Sequence, residues 1–334
     1  MSPEFGKLVG KIDDVVQSAP GHLGVSIRLV GRGPVVDIDS DQQYPLGSVY
    51  KVPLLATLFH KVGTRELSLD QRVTLREIDK SLGSGDLQYF RPGLNLTAHD
   101  LCHLMIVHSD NTATDMVHRL VGMETPNEYM HELGLDSIDI YCPSREYFLI
   151  FLGWAKAFKG KSIGEIGKIW KTMSRDERVE MFRRIRIETR NKTAAEGQKL
   201  GIELWGVSDE KETKEDRDAS EVMDNYGSPS DITKLLELIV TNKIASRSLT
   251  RQMIEYMLLC DARAALPSRI PEGVLVANKT GSVAGTVNDS AIIFASAKST
   301  IIGACFSTKV KHSDAKEMRD AIAEIGLLAY KALK

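Results

Sequence analysis

The spacing of apolar positions divides the chain into three stretches. Near the N-terminus, HLGVSIRLV and PVVDID are β-rich runs separated by GRGP, a Gly/Pro turn of the length that joins adjacent antiparallel strands. A hairpin is predicted there. From about 51 to 243 the apolar residues recur at three- and four-residue steps, as in LTAHDLCHLMIVHS and DITKLLELIVTNKI, which predicts a largely helical middle. After Pro271 the pattern returns to strands in GVLVANKTG, DSAIIFAS and STIIGACFST, and an amphipathic helix over about 313–333 closes the chain. Strands at both ends with helices between them predict an α/β fold of the α+β sandwich type. Its antiparallel sheet is built from both termini and flanked by helices, with an all-helical domain inserted. The expected division is 1–46 plus 246–334 for the α/β domain and 47–245 for the helical one. No internal repeat is visible.

A stretch at about 156–218 departs from this pattern. SRDERVEMFRRIRIETRNK is basic and helical in spacing, and SDEKETKEDRDAS is a dense mixed-charge run. The plain reading is a solvated helix and a mobile loop; a substrate lid or partner-docking arm is the alternative.

With 334 residues the chain can bury a large core. Its 43 basic and 45 acidic residues nearly cancel, leaving a formal net charge of -2, so nucleic acid is not favoured as a partner. The four cysteines are widely spaced, sit mostly among apolar neighbours and form no C-x-x-C pair, which reads as reduced core thiols. No apolar run approaches a membrane span, and MSPEFGKLVG lacks the apolar segment of a secretory signal. The expected location is cytoplasmic. The start SPEF also fits a sequence from which a leader has been removed.

The candidate chemistry begins in PLGSVYKVPLLATLF, where Ser48 and Lys51 stand three apart at the start of an apolar helix. At that spacing their side chains share a face. A helix N-terminus also offers backbone N–H groups and a positive dipole end to a developing oxyanion. Spacing alone does not decide between a nucleophile with its base and an ordinary pair, because Ser208 with Lys211 and Ser313 with Lys316 repeat it in charged sequence. Two further stretches matter. HSDNTATD puts Ser109, Asp110 and Asn111 at the end of an apolar helical segment, and NKTGSVAGTVND ends a strand with Lys279, Thr280 and Gly281, followed by Ser282. Each alone is equally well a helix end or a strand running into a turn.

In the order S-x-x-K, S-D-N, K-T-G, the three segments resemble the serine β-lactamase and penicillin-binding protein superfamily, closest to class A β-lactamases. The resemblance spans most of the chain except the charged insertion. It implies a β-lactamase/transpeptidase-like fold with the serine at the junction of the two domains. It makes Ser48 the nucleophile and Lys51, if neutral, its base, with burial and the neighbouring Lys279 cation holding the Lys51 pKa down. Ser109 then relays a proton to the leaving amine, Asn111 holds the acyl amide of a substrate, and Asp110 fixes the turn. Lys279 and Thr280 receive the substrate carboxylate. Gly281 lets a substrate backbone approach the strand edge, and the backbone N–H groups of Ser48 and Ser282 form the oxyanion hole.

One departure concerns the base for deacylation. Class A enzymes carry E-x-x-L-N after S-D-N; this chain reads YCPSREYFLI, with Glu146 and Leu149 in register but Ile150 where Asn is expected. Glu146 is the candidate base, against the plain reading of a glutamate that begins a helix. Lys51 serving both half-reactions is the alternative.

Other constellations weigh less. His99 and His103 sit four apart, but Asp100 stands where a zinc-protease helix needs Glu, and no third ligand is visible. Tyr89, in SLGSGDLQYF, is a candidate substrate contact, and Trp205 a candidate cap over a pocket. The expectation is therefore a serine hydrolase working through an acyl-Ser48 intermediate on a small-molecule or peptide acyl substrate. β-Lactam hydrolysis is the first reading, with no cofactor and no metal. The alternatives are an esterase, amidase or peptidase on the same machinery, or a non-catalytic binding protein of the same fold.

Overall fold

The computed structural model describes residues 3–205 and 213–334. The chain enters through α1 (Pro3–Ser18) and the strands β1 (His22–Leu29) and β2 (Gly33–Ile38). The short β3 (Tyr44–Pro45) then leads through a 3-10 turn, Gly47–Tyr50, into α2 (Lys51–Gly63). The helical middle holds a small hairpin of β4 (Arg72–Thr74) and β5 (Asn95–Thr97), then α3 (Ala98–Val107), α4 (Asn111–Val121), α5 (Thr125–Glu132) and α6 (Ser144–Phe151). Four more helices follow: α7 (Ile163–Thr172), α8 (Arg175–Glu188), α9 (Ala194–Trp205) and α10 (Lys214–Met223). β6 (Tyr226–Gly227), α11 (Pro229–Val240) and α12 (Arg247–Leu258) return the chain to β7 (Leu275–Gly281), β8 (Asn288–Ser296), β9 (Ser299–Thr308) and the closing α13 (Ala315–Leu333).

The main sheet is antiparallel, in the order β2-β1-β9-β8-β7, so both termini build it as the strand pattern predicts. Successive side chains of a strand face opposite ways. Ile292 and Ile302 accordingly join the core shared with the helical middle, while their neighbours Ile293 and Ile301 pack on the other face with residues of α1 and α13. β7 is an edge strand, and its open edge lies against the Gly47–Tyr50 turn. All four cysteines are buried and unpaired.

Two regions differ from the sequence reading. The hairpin is preceded by α1, whose Leu8 and Ile12, four apart on one face, are buried against the sheet. The stretch read as a solvated helix and mobile loop instead forms, in its described part, helices packed around their own core, with Trp170, Phe158 and Ile185 fully buried beside Phe182 and Met181. Ser162, Ser174 and Thr213 each start a helix with a capping box, closed by Glu165, Glu177 and Asp216. Dense surface charge hid the few apolar positions that make this core. Ile150 belongs to it and is fully buried, a position an asparagine side chain could occupy only by losing its hydrogen bonds. Ser208 and Lys211 lie outside the described residues, as does the Trp205 side chain. Among the described residues no helix is long and apolar enough to cross a membrane.

Candidate active site

Ser48 is placed by a short ladder that begins in β3. Tyr44 pairs with Gly227 and Pro45 with Tyr226, and the Leu46 N–H donates to the Asn225 carbonyl. At the next step the Gly47 N–H donates to a side chain instead, Asp224 Oδ2, at 2.6 Å. There the chain turns into the 3-10 segment that carries Ser48.

This turn is pressed against the end of β7. Gly47 has φ +49°, and a Cβ on it would meet the Ser282 nitrogen at 2.6 Å. A Cβ on Gly281 would meet the Leu46 carbonyl oxygen at 2.2 Å and the Ser48 nitrogen at 2.9 Å. Only glycine fits at either position. The close approach sets the Ser48 and Ser282 backbone nitrogens near one another. Ser48 lies in the first turn of its helix, where N–H groups lack intrahelical acceptors, and Ser282 lies just beyond β7.

Lys51 is fully buried at the head of α2. Its Nζ lies 2.6 Å from the Ser109 carbonyl oxygen, 2.8 Å from Asn111 Oδ1 and 3.1 Å from Ser109 Oγ. Burial, and then the nearby Lys279 cation, hold its pKa well below the usual lysine value against the opposing pull of Asp110 and Asp115. Nζ thus donates to two carbonyl-type oxygens and lies within hydrogen-bond reach of the Ser109 hydroxyl, so the buried amine is fully satisfied. Lys279, also fully buried, is likewise shifted down by burial; its Nζ donates to the Thr280 carbonyl at 3.1 Å.

Ser109 sits at φ +55°, and Asp110 caps α4 by accepting from the Ala113 N–H at 2.8 Å. The second Asp110 oxygen accepts from the Leu87 N–H at 2.9 Å, which ties the 81–90 loop to the S-D-N turn. Asn111 donates to the Leu82 carbonyl at 2.9 Å while receiving Lys51. Ser48, Asn111 and Ser282 line one cavity of about 110 Å³ together with Gly83 and Ser84. Tyr89 is 67% exposed and outside it. Thr280, half-buried, continues the same strand edge.

Glu146 is not brought to this cavity. It is 1% exposed, its Oε1 accepts from Arg145 at 3.0 Å and Arg186 at 3.3 Å, and it lines a different cavity of about 420 Å³ beside Asp115 and Phe182. The expected deacylation base is thus corrected: Glu146 opens α6 as a glutamate favoured at a helix start, turned toward Arg145 of the same helix and Arg186 of α8. The other two S-x-x-K pairs do not rival the first. In the one that is described, Ser313 bonds Asp314 and Lys316 bonds Asp320 on the surface.

Motif reading missed Asp224, Ser144, Tyr147 and Asn225, which also line the Ser48 cavity. Asp224 lies 177 residues from Gly47, at the end of a charged stretch, and only the ladder from β6 to β3 reveals it.

Comparison with known proteins agrees with this architecture. A single-residue variant of PBP-A, in an acyl-enzyme complex with penicillin G, superposes with a TM-score of 0.70 at 20% identity over 99% of this chain and 98% of that one. A β-lactamase from Chitinophaga pinensis gives 0.70 at 20% identity, over 98% and 99%. The β-lactamase L2 of Stenotrophomonas maltophilia is 30% identical over 102 residues, 30% of this chain, and the matched segment spans about a third (33%) of that relative's length. The profile of the β-lactamase enzyme family matches residues 7–333. With nearly the whole chain matched and the fold of its relatives around Ser48 and Lys51, this protein belongs to the β-lactamase enzyme family.

Proposed function

We propose that the protein is a serine hydrolase that opens β-lactams through a covalent acyl-Ser48 intermediate. The observation that carries this reading is the fully buried Lys51 amine, held by Ser109 and Asn111 one helical turn from Ser48. Ser48 Oγ attacks the lactam carbonyl carbon as its proton passes to neutral Lys51, and the oxyanion is received by the Ser48 and Ser282 N–H groups. The C–N bond then breaks, and the proton reaches the departing nitrogen through Ser109, which already touches Lys51 Nζ. Lys279 and Thr280 take the substrate carboxylate, and Asn111 takes the acyl amide. The site lies between the sheet domain (1–46 plus 246–334) and the helical domain (47–245), and needs no metal or organic cofactor for these steps. The four unpaired cysteines suit a reducing, cytoplasmic setting.

Intact-protein mass spectrometry after addition of a penicillin tests the reading. An adduct of the drug's mass on the wild type and none on Ser48→Ala is expected; an adduct on both, or none on either together with no hydrolysis that depends on Ser48, would overturn it.

A further inference from the structure

If acyl-Ser48 forms as proposed above, water must release it, and Glu146 is directed elsewhere. We propose that Asp224 is the general base that activates the deacylating water. Among the described residues it is the one carboxylate that lines the Ser48 cavity, whose volume of about 110 Å³ is large enough for water.

Its position is fixed by the fold. The Gly47 N–H, one residue from the nucleophile, donates to Asp224 Oδ2 at 2.6 Å, and the Asn225 N–H lies near enough to favour the ionised carboxyl. A carboxylate offers about four acceptor sites, so sites remain for a water in the cavity that Asp224 shares with Ser48. The side chain is 5% exposed, and the titratable groups that feel its charge are Tyr50, Tyr147, Cys142 and Tyr226, from the Ser48 turn, α6, the segment before α6, and β6. Burial raises all four above their ordinary values, so each is uncharged near neutrality. With no charged partner, burial pushes the Asp224 carboxyl up to about 7 against the two backbone hydrogen bonds that favour its ionised form. A base of that strength works best near neutral pH.

The step balances within these groups. A water proton passes to the Asp224 carboxylate as the water oxygen bonds to the acyl carbon. As the tetrahedral species collapses, the bond from that carbon to Ser48 Oγ breaks, and the proton returns from Asp224 to Ser48 Oγ. Serine, carboxylate and acid product result. The role of Lys51 in acylation is untouched, which separates the two half-reactions between two residues.

Single-turnover kinetics with a penicillin separate the rate of adduct formation from the rate of its loss. Asp224→Asn keeps an oxygen to accept the Gly47 N–H but cannot take a proton. It should acylate at the wild-type rate and lose the adduct about 100-fold more slowly or worse. Wild-type deacylation should rise with pH through about 7, and that limb should vanish in Asp224→Asn. Asp224→Glu, which restores a carboxylate, should regain part of the rate together with the pH limb; it also decides the matter if Asp224→Asn fails to fold. Equal loss of both half-reactions in Asp224→Asn would make Asp224 a support for the Ser48 turn and overturn the proposal, as would unchanged deacylation. A wild type that forms no adduct and shows no hydrolysis that depends on Ser48 would instead refute the acyl-enzyme reading on which it rests.

Discussion

The cavity around Ser48 and the larger cavity around Glu146 lie on either side of α6, and both bury ionisable groups, but they differ in how many of those groups meet a charge of opposite sign. At Glu146 most charges are paired with arginines; Asp115 is the exception, its carboxyl pushed up to about 7 by burial and by the neighbouring Glu146 charge. Asp79, 2% exposed, receives Arg76 at 2.8 and 2.9 Å and has Arg119 at 3.3 Å, while Arg186 lies between Asp79 and Glu146. Near Ser48, by contrast, burial and the Lys279 charge outweigh the pull of Asp110 and Asp115 on Lys51, and Asp224 faces neutral groups. Paired charges hold helices together; unpaired ones are left with shifted proton affinities, which is what acid–base chemistry at neutral pH needs. Glu146 has the residue type of a catalytic base and the surroundings of a structural one.

Substitutions can break or sharpen that contrast. The largest effect is expected from Ser48→Ala, which should abolish turnover of any acyl substrate. Lys51→Ala should cost nearly as much, because nucleophile and base act as a unit. Steady-state hydrolysis checks both, and full turnover by either variant would contradict the assignment. Gly281→Ala comes next. Its new methyl would fall 2.2 Å from the Leu46 carbonyl oxygen, so the strand must retreat from the Ser48 turn. With the two backbone donors separated, a loss of about 100-fold in acylation is expected, read from the rate of adduct formation.

On the other side of α6, Glu146→Ala should cost about 3 kcal/mol of stability by leaving the buried Arg145 short of its partner. Thermal melting reads this, and deacylation per folded molecule should stay unchanged. Slowed deacylation would return Glu146 to the mechanism. The smallest expected effect is on stability at Lys51. Its folded pKa is depressed, so below its ordinary value near 10.4 the unfolded chain binds the extra proton. The penalty therefore grows as pH falls from there to the depressed value, and stays constant below. Lys51→Met should melt higher than wild type at neutral pH while being inactive. A lower melting temperature would mean that the hydrogen bonds of Lys51 outweigh its burial.

How much of this was legible in the sequence depended on how local the cause was. The hairpin, the three C-terminal strands and α13 follow from periodicity within single segments. Ser48 and Lys51 sit on adjoining turns, so their spacing carried their relation. The direction of Glu146 was not legible, because it depends on how α6 is rotated, and that is decided by burial of Ile150 and Leu149 against the core of α7 and α8. Asp224 was invisible for a similar reason: a pairing of two residues on each strand, between β3 and β6, brings it to Gly47 from far along the chain. The folded insertion escaped notice because its surface charge outnumbers the few apolar residues that pack it.

The most direct test of the central claim is a time course of intact-protein mass after one equivalent of a penicillin, run on wild type, Ser48→Ala and Asp224→Asn. The account predicts a transient adduct on wild type, none on Ser48→Ala and a persistent one on Asp224→Asn. An adduct that forms without Ser48, or hydrolysed drug that accumulates with no wild-type adduct and no dependence on Ser48, would contradict it.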